Sequence, residues 1–158
     1  MSINITRTTF ADSPESLAAA LNSIFSGTQE STESDLEKLF TPTFTQRADE
    51  NHPSGFRDFP GFVKHISWIR GFLPPGSVDL KVTHYLRSGN SIAERHSGEP
   101  TTQEDGSVWQ GETFMWIELA DDGRIDGIVE TVRRTILKGP TVVIEGKEAK
   151  LGEHGLGN

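Results

Sequence analysis

Apolar residues recur at helical spacing in the first half of the chain and at a period of two in the second. Leu17, Leu21, Ile24 and Phe25 mark a helix that Ser13 caps, Pro14 opens and Gly27 stops. Ser34 with Glu37 three residues on has the spacing of a capping box. It predicts a short second helix with Leu36, Leu39 and Phe40 on its apolar side, ended by Thr41-Pro42. Residues 44–47 read as a short strand and 51–55 as a loop. Asp58 or Pro60 starts a third helix, with Phe62, Ile66, Ile69 and Phe72 on one side and His65 and Trp68 on its border. Leu73-Pro74-Pro75-Gly76 breaks it.

The period of two then takes over. Val78, Leu80, Val82, His84 and Leu86 alternate with polar residues, and Ser88-Gly89-Asn90 is a turn. The returning strand, 91–97, carries Ile92, Glu94 and His96 on one face and Ala93, Arg95 and Ser97 on the other. Which face is inside stays open, because a slip of one residue exchanges them. A polar loop follows over 98–106. Strands at 107–119 and 124–135 flank Asp121-Asp122-Gly123, a three-residue hairpin loop with glycine at its left-handed position. With that loop, Ala120 faces Arg124, Trp116 pairs with Ile128, Phe114 with Glu130 and Glu112 with Val132. One face then carries Glu112, Phe114, Trp116, Ile128, Glu130 and Val132. A carboxylate among aromatic and branched residues is costly unless it is functional or ion-paired. Gly139-Pro140 interrupts the sheet, residues 141–145 are expected to add a short edge strand, and residues 1–12 and 146–158 are expected to be flexible.

Length and charge narrow the classes. The 158 residues suit a single domain spanning 1–158. A net charge of -8 argues against a nucleic-acid partner. No apolar run approaches the ~20 residues of a membrane span, and the first residues lack the apolar stretch of a signal peptide. There is no cysteine, hence no disulfide framework and no thiol nucleophile; a reducing compartment, the cytoplasm, suits this. The sequence has no Gly-x-Ser-x-Gly elbow, phosphate loop or GxGxxG fingerprint. His84, Glu94 and His96 on neighbouring strands have the composition of a metal site, but no pattern unites them on one face, and no metal is expected.

The run Asp122-Gly123-Arg124-Ile125, followed five residues later by Glu130, resembles the closing signature of the SnoaL-like polyketide cyclases of the NTF2-like superfamily. Arg124 stands for the family's lysine and Glu130 for its inward acid. Val129 replaces the aromatic residue that usually precedes the acid, and Ile128 replaces a histidine, whose role is therefore lost here. Gly61, Arg70, Phe72 and Pro74 also match, at the two ends of the third helix. The resemblance implies an α+β, NTF2-like cone: three N-terminal helices packed on a curved mixed or antiparallel sheet, with a pocket between. It implies a homodimer without cofactor that binds a small hydrophobic polyketide or terpenoid intermediate and moves protons to isomerise or cyclise it. Dehydratase and hydrolase chemistry are neighbouring possibilities. On this reading Glu130 and Glu112 serve as acid or base and Arg47 as the oxyanion group. His65, Trp68, Phe114 and Trp116 hold the substrate. The alternative is a non-catalytic binding or dimerising module of the same fold.

Overall fold

The computed structural model describes residues 6–48, 55–74, 76–144 and 147–150. Of the expected loop at 51–55 only Gly55 lies among them, and the outermost residues of both ends lie outside. Helix α1 spans Pro14–Ile24, where Ser13 and Ser16 cap each other: each backbone N–H donates to the other's hydroxyl, at 3.1 and 3.3 Å. Helix α2 is Thr32–Leu36. It begins earlier than the Ser34–Glu37 pattern implies. Ser31 takes the cap position, and the Thr28 and Ser31 side chains bond each other's backbone N–H just before it. Ser34 lies inside the helix and donates to the Ser31 carbonyl, so its hydroxyl is not a cap. Phe40 opens strand β1 (Phe40–Ala48) instead of closing the helix. A short β2 (Phe56–Asp58) leads into α3 (Phe59–Arg70), capped by the Asp58 carboxylate on Gly61 N–H at 3.0 Å.

The remaining strands are β3 (Lys81–Ser88), β4 (Ser91–Ser97), β5 (Thr101–Thr102), β6 (Val108–Leu119) and β7 (Ile125–Lys138). They form one sheet with β1 and β2 in the order β2-β1-β7-β6-β4-β3, with β5 beside β6. Among the described residues only β1 and β7 run parallel. The fold is therefore α+β with a mixed, largely antiparallel sheet, as expected. Residues 141–144 do not extend it: they pair with 147–150 in a separate two-stranded sheet. Helix α1 packs on β3 near one edge and α3 on β1 near the other, which encloses the space between sheet and helices. Phe40, Phe44 and Phe62 fill its base with ring centroids 4.6 to 5.0 Å apart. Such aromatic pairs add ~0.5–1.5 kcal/mol each beyond area burial. Arg70, 8% exposed, ties the helices together by donating to the Ile24 and Thr28 carbonyls and to Asp35.

Two irregularities decide what faces inward. In β3 the register shifts between Val82 and His84, so the simple alternation over 78–86 breaks there. The second lies at the hairpin. Asp121-Asp122-Gly123 does form the loop: Ala120 N–H donates to the Arg124 carbonyl at 2.8 Å, and Gly123 has φ 84. The next pairs, however, are Leu119 with Ile125 and Glu118 with Gly127. Asp126 is a bulge, the extra residue on β7. Its carboxylate is held by the Thr41 and Thr43 hydroxyls of β1, the latter at 2.6 Å. From Glu118 back to Trp109 every pair is offset by one from the simple hairpin register. Trp116 faces Val129, Phe114 faces Thr131 and Glu112 faces Arg133, while Glu130 is paired with Met115.

Gly123 is also closely packed. A Cβ there would sit 2.2 Å from the Thr8 carbonyl oxygen, on a backbone with positive φ. Gly123→Ala should destabilise the protein by about 1–3 kcal/mol or more, read as a lower urea midpoint. An unchanged midpoint would contradict this account of the turn.

Candidate functional site

A cavity of about 270 Å³ lies between α1, α3 and the inner face of the sheet. Its wall is apolar apart from Gln46, His65, His96, Thr113 and Glu130; among the described residues no lysine or arginine lines it. Val132, 53% exposed, marks its mouth. Such a space suits an uncharged apolar ligand oriented by a few polar groups.

Glu130 reaches the cavity because the bulge at Asp126 turns the rest of β7 over. Ile125 and Ile128 are three residues apart, yet both are buried in the core; Glu130 follows Ile128 on the same face. Its partner is neutral: Gln46 Nε2 donates to Glu130 Oε1 at 2.7 Å. The Gln46 amide is oriented in turn by Arg57, whose Nη1 donates to Gln46 Oε1 at 3.3 Å. Burial pushes the Glu130 carboxyl above the usual carboxylate range. The Gln46 hydrogen bond and the more distant His96 and Arg57 oppose the rise, and Glu94 adds to it. His65 lies at the helical side of the cavity, and burial together with Arg57 lowers its pKa.

The other expected site residues lie elsewhere. Arg47 does not enter the cavity. In β1 Phe44 and Gln46 are buried, so a period of two places Arg47 on the opposite face, where its guanidinium lies over the Phe56 ring at 5.5 Å. Glu112 is carried to the outer sheet face by the offset register. There it accepts from Arg95 Nε at 2.8 Å and Arg133 Nε at 2.7 Å, and the Arg95 bond leads in holding its carboxyl below the usual range. It is an ion-paired acid, without a place beside Glu130. Phe114 and Trp116 share that outer face, 43% and 52% exposed, and do not line the cavity. Trp68 is 63% exposed on the outside of α3, edge-on to Phe72. Of the seven expected positions the structure brings Glu130 and His65 to the cavity.

Two groups were missed. Gln46 is the inward neighbour of Arg47, and alternation from Phe44 is the signal that finds it. The sequence pattern puts Glu94 and His96 on one face with Ile92 and leaves open which side of the sheet that is. The two-residue turn Gly89-Asn90 sets the register, with Ser88 opposite Ser91, and the fully buried pair Ile92 and Ile117 puts that face inside. Glu94 is 4% and His96 5% exposed, and Glu94 Oε1 lies 2.8 Å from His96 Nδ1. His84 lies exposed on the other side of the sheet, and among the described residues no three His, Asp or Glu side chains are grouped as metal ligands.

The chain matches a proposed polyketide cyclase from Acidithiobacillus ferrooxidans with a TM-score of 0.53 and 15% identity, over 84% of this chain and 91% of that one. It matches a proposed SnoaL-like polyketide cyclase from Jannaschia sp. CCS1 with a TM-score of 0.53 and 12% identity, over 80% and 89% of the two chains. A proposed isomerase of the SnoaL-like family from Agrobacterium tumefaciens C58 follows, with a TM-score of 0.52 and 17% identity, over 76% and 97%. No protein-family model matches the sequence, and no curated protein does. At these identities the likeness shows the fold alone, an α+β fold shared with these SnoaL-like structures.

A raised carboxyl pKa makes a signed prediction. The folded chain holds a proton on Glu130 at pH values where the unfolded chain, with a glutamate near pKa ~4.3, has released it. Stability contributed at this site therefore falls as pH rises from ~4.3 through the folded pKa. Glu130→Gln, whose amide oxygen can still accept from Gln46, should melt higher than the parent at pH 7, with the gap closing toward pH 4. A variant that melts lower at pH 7 would contradict the burial.

Proposed function

We propose that the protein is a cofactor-independent acid–base enzyme, an isomerase or cyclase, acting on a neutral polyketide- or terpenoid-like molecule in this cavity. The observation that carries the reading is Glu130: a carboxyl in an apolar wall, bound by a neutral amide rather than a cation, with its pKa raised by burial. A group so placed exchanges a proton with carbon or oxygen near neutral pH more readily than an exposed glutamate does. The proposed cyclase and isomerase activities of the structural relatives agree with this chemistry without naming a substrate. Among the described residues no cationic clamp lines the cavity, so a charged phosphate or carboxylate substrate would lack a partner from them.

A second observation favours assembly alongside catalysis. The outer sheet face exposes Leu86, Phe114, Trp116 and Val129. It suits a second copy of the chain, as the homodimer expectation has it. The open cavity behind it supports a ligand-binding role over a purely structural module, whose cone would be filled.

Turnover of cyclisable polyketide and terpenoid ketones provides the test. Glu130→Gln should lower the rate about 10²–10⁴-fold, the usual contribution of a general acid or base. Arg47→Ala, on the far face of β1, should leave it near the parent rate. An unchanged rate in Glu130→Gln would make the binding module the better reading.

A further inference from the structure

Glu94 and His96 are buried side by side on the inner face of β4, where Ile92 shows the residue type the wall otherwise prefers. Two ionisable groups at such positions are costly unless they do something there. Their hydrogen bond does not exhaust them. Glu94 Oε2 has no partner among the described residues, and with Nδ1 engaged by Glu94 the imidazole keeps Nε2 for a ligand. His96 lines the same cavity as Glu130. The two stand on opposite sides of β6: His96 pairs with Thr113, which pairs with Val132, and Glu94 pairs with Met115, which pairs with Glu130. Their backbones are two strand spacings apart, about 10 Å, and offset by one side-chain row. No hydrogen bond joins His96 to Glu130 among the described residues, so a ligand can lie between them.

We propose that His96, held in orientation by Glu94, is the second proton-transfer residue of the cavity, and that the substrate is a neutral enolisable ketone spanning the gap to Glu130. This rests on the acid–base reading of Glu130. The Glu130 carboxylate takes a proton from the carbon next to the carbonyl. The C–H electron pair becomes the new C=C bond, the carbonyl π pair moves to oxygen, and that oxygen takes the Nε2 proton of a doubly protonated His96, whose Nδ1–H stays on the Glu94 carboxylate and which is left as the neutral imidazole. The neutral enol then returns to a ketone when Glu130 delivers its proton to a carbon of the enol system and His96 reclaims the one on oxygen. Delivery to a different carbon shifts the double bond, and both residues end as they began. Glu94 is a positioning residue in this scheme, since it acts on the substrate only through His96.

The probe is 2-naphthol, whose acidic hydroxyl on an apolar body stands in for the enol. It is titrated into the full chain labelled with ¹³C and ¹⁵N at histidine, and separately at glutamate. His96 ring signals should move at saturation while those of His84, on the outer face, stay in place. His96→Gln should weaken naphthol binding by about tenfold or more. Glu94→Gln should change the His96 nitrogen signals, which report the tautomer, and weaken binding in parallel. Should His96→Gln fail to fold, the shifts in the parent protein and in Glu94→Gln decide. His96 signals unmoved at saturation, or a His96→Gln affinity within about twofold of the parent, overturn the inference. If the naphthol moves the Glu130 carboxyl signal alone, this inference falls and the acid–base reading stands; if it moves neither, both fall.

Discussion

The structure depends on one extra residue. Asp126 lies unpaired between Ile125 and Gly127 on β7, and the two threonine hydroxyls of β1 hold its carboxylate. A bulge of this kind costs a rung of the ladder and turns the strand over by one residue. Everything beyond it changes face. Without it, Glu130 would share a surface with Phe114 and Glu112; with it, Glu130 shares one with Ile128, Met115 and Thr113. The strand that supplies the threonines also supplies Gln46, so one stretch of β1 both fixes the bulge and solvates the carboxyl it delivers.

The consequence is one hairpin with two glutamates in opposite electrostatic settings. Glu112 on the outer face is ringed by Arg95 and Arg133 and held in its charged form. Glu130 on the inner face has a neutral amide for a partner, and burial outweighs the charges that would lower its pKa. The interposed Gln46 matters here. It carries the influence of Arg57 to the carboxyl as an oriented dipole rather than as a direct ion pair, which would pull the pKa down. Such separation of pKa values by environment is how one fold obtains a proton-transfer group and a structural ion pair from the same residue type.

Much of the architecture was legible in the sequence because its signals are local. Ser13-Pro14 opens α1, Asp58 caps α3, and the Asp-Asp-Gly loop and the Gly-Asn turn lie where turn chemistry puts them. The identity of the acid came from its place after that loop and from a family resemblance. The rest of the site was lost to parity. Arg47 and Gln46 differ by one residue, and so do the registers that place Phe114 or Met115 beside Glu130. Side chains alternate at a period of two, so an irregularity set by contacts from a distant strand inverts every later assignment. Thr41 and Thr43 are 85 and 83 positions from the carboxylate they hold, and no local pattern announces that contact. The Glu94–His96 pair suffered less: its shared face was plain, and only the side remained to be fixed.

The central claim, that the bulge sends two glutamates of one hairpin into opposite environments, can be measured directly. In protein labelled with ¹³C at the glutamate carboxyls, a pH titration by NMR should show Glu130 with a midpoint above the ordinary value of ~4.3 and Glu112 with one below it. A Glu130 midpoint at or below ~4.3, or an order reversed between the two, would contradict the register and the site built upon it.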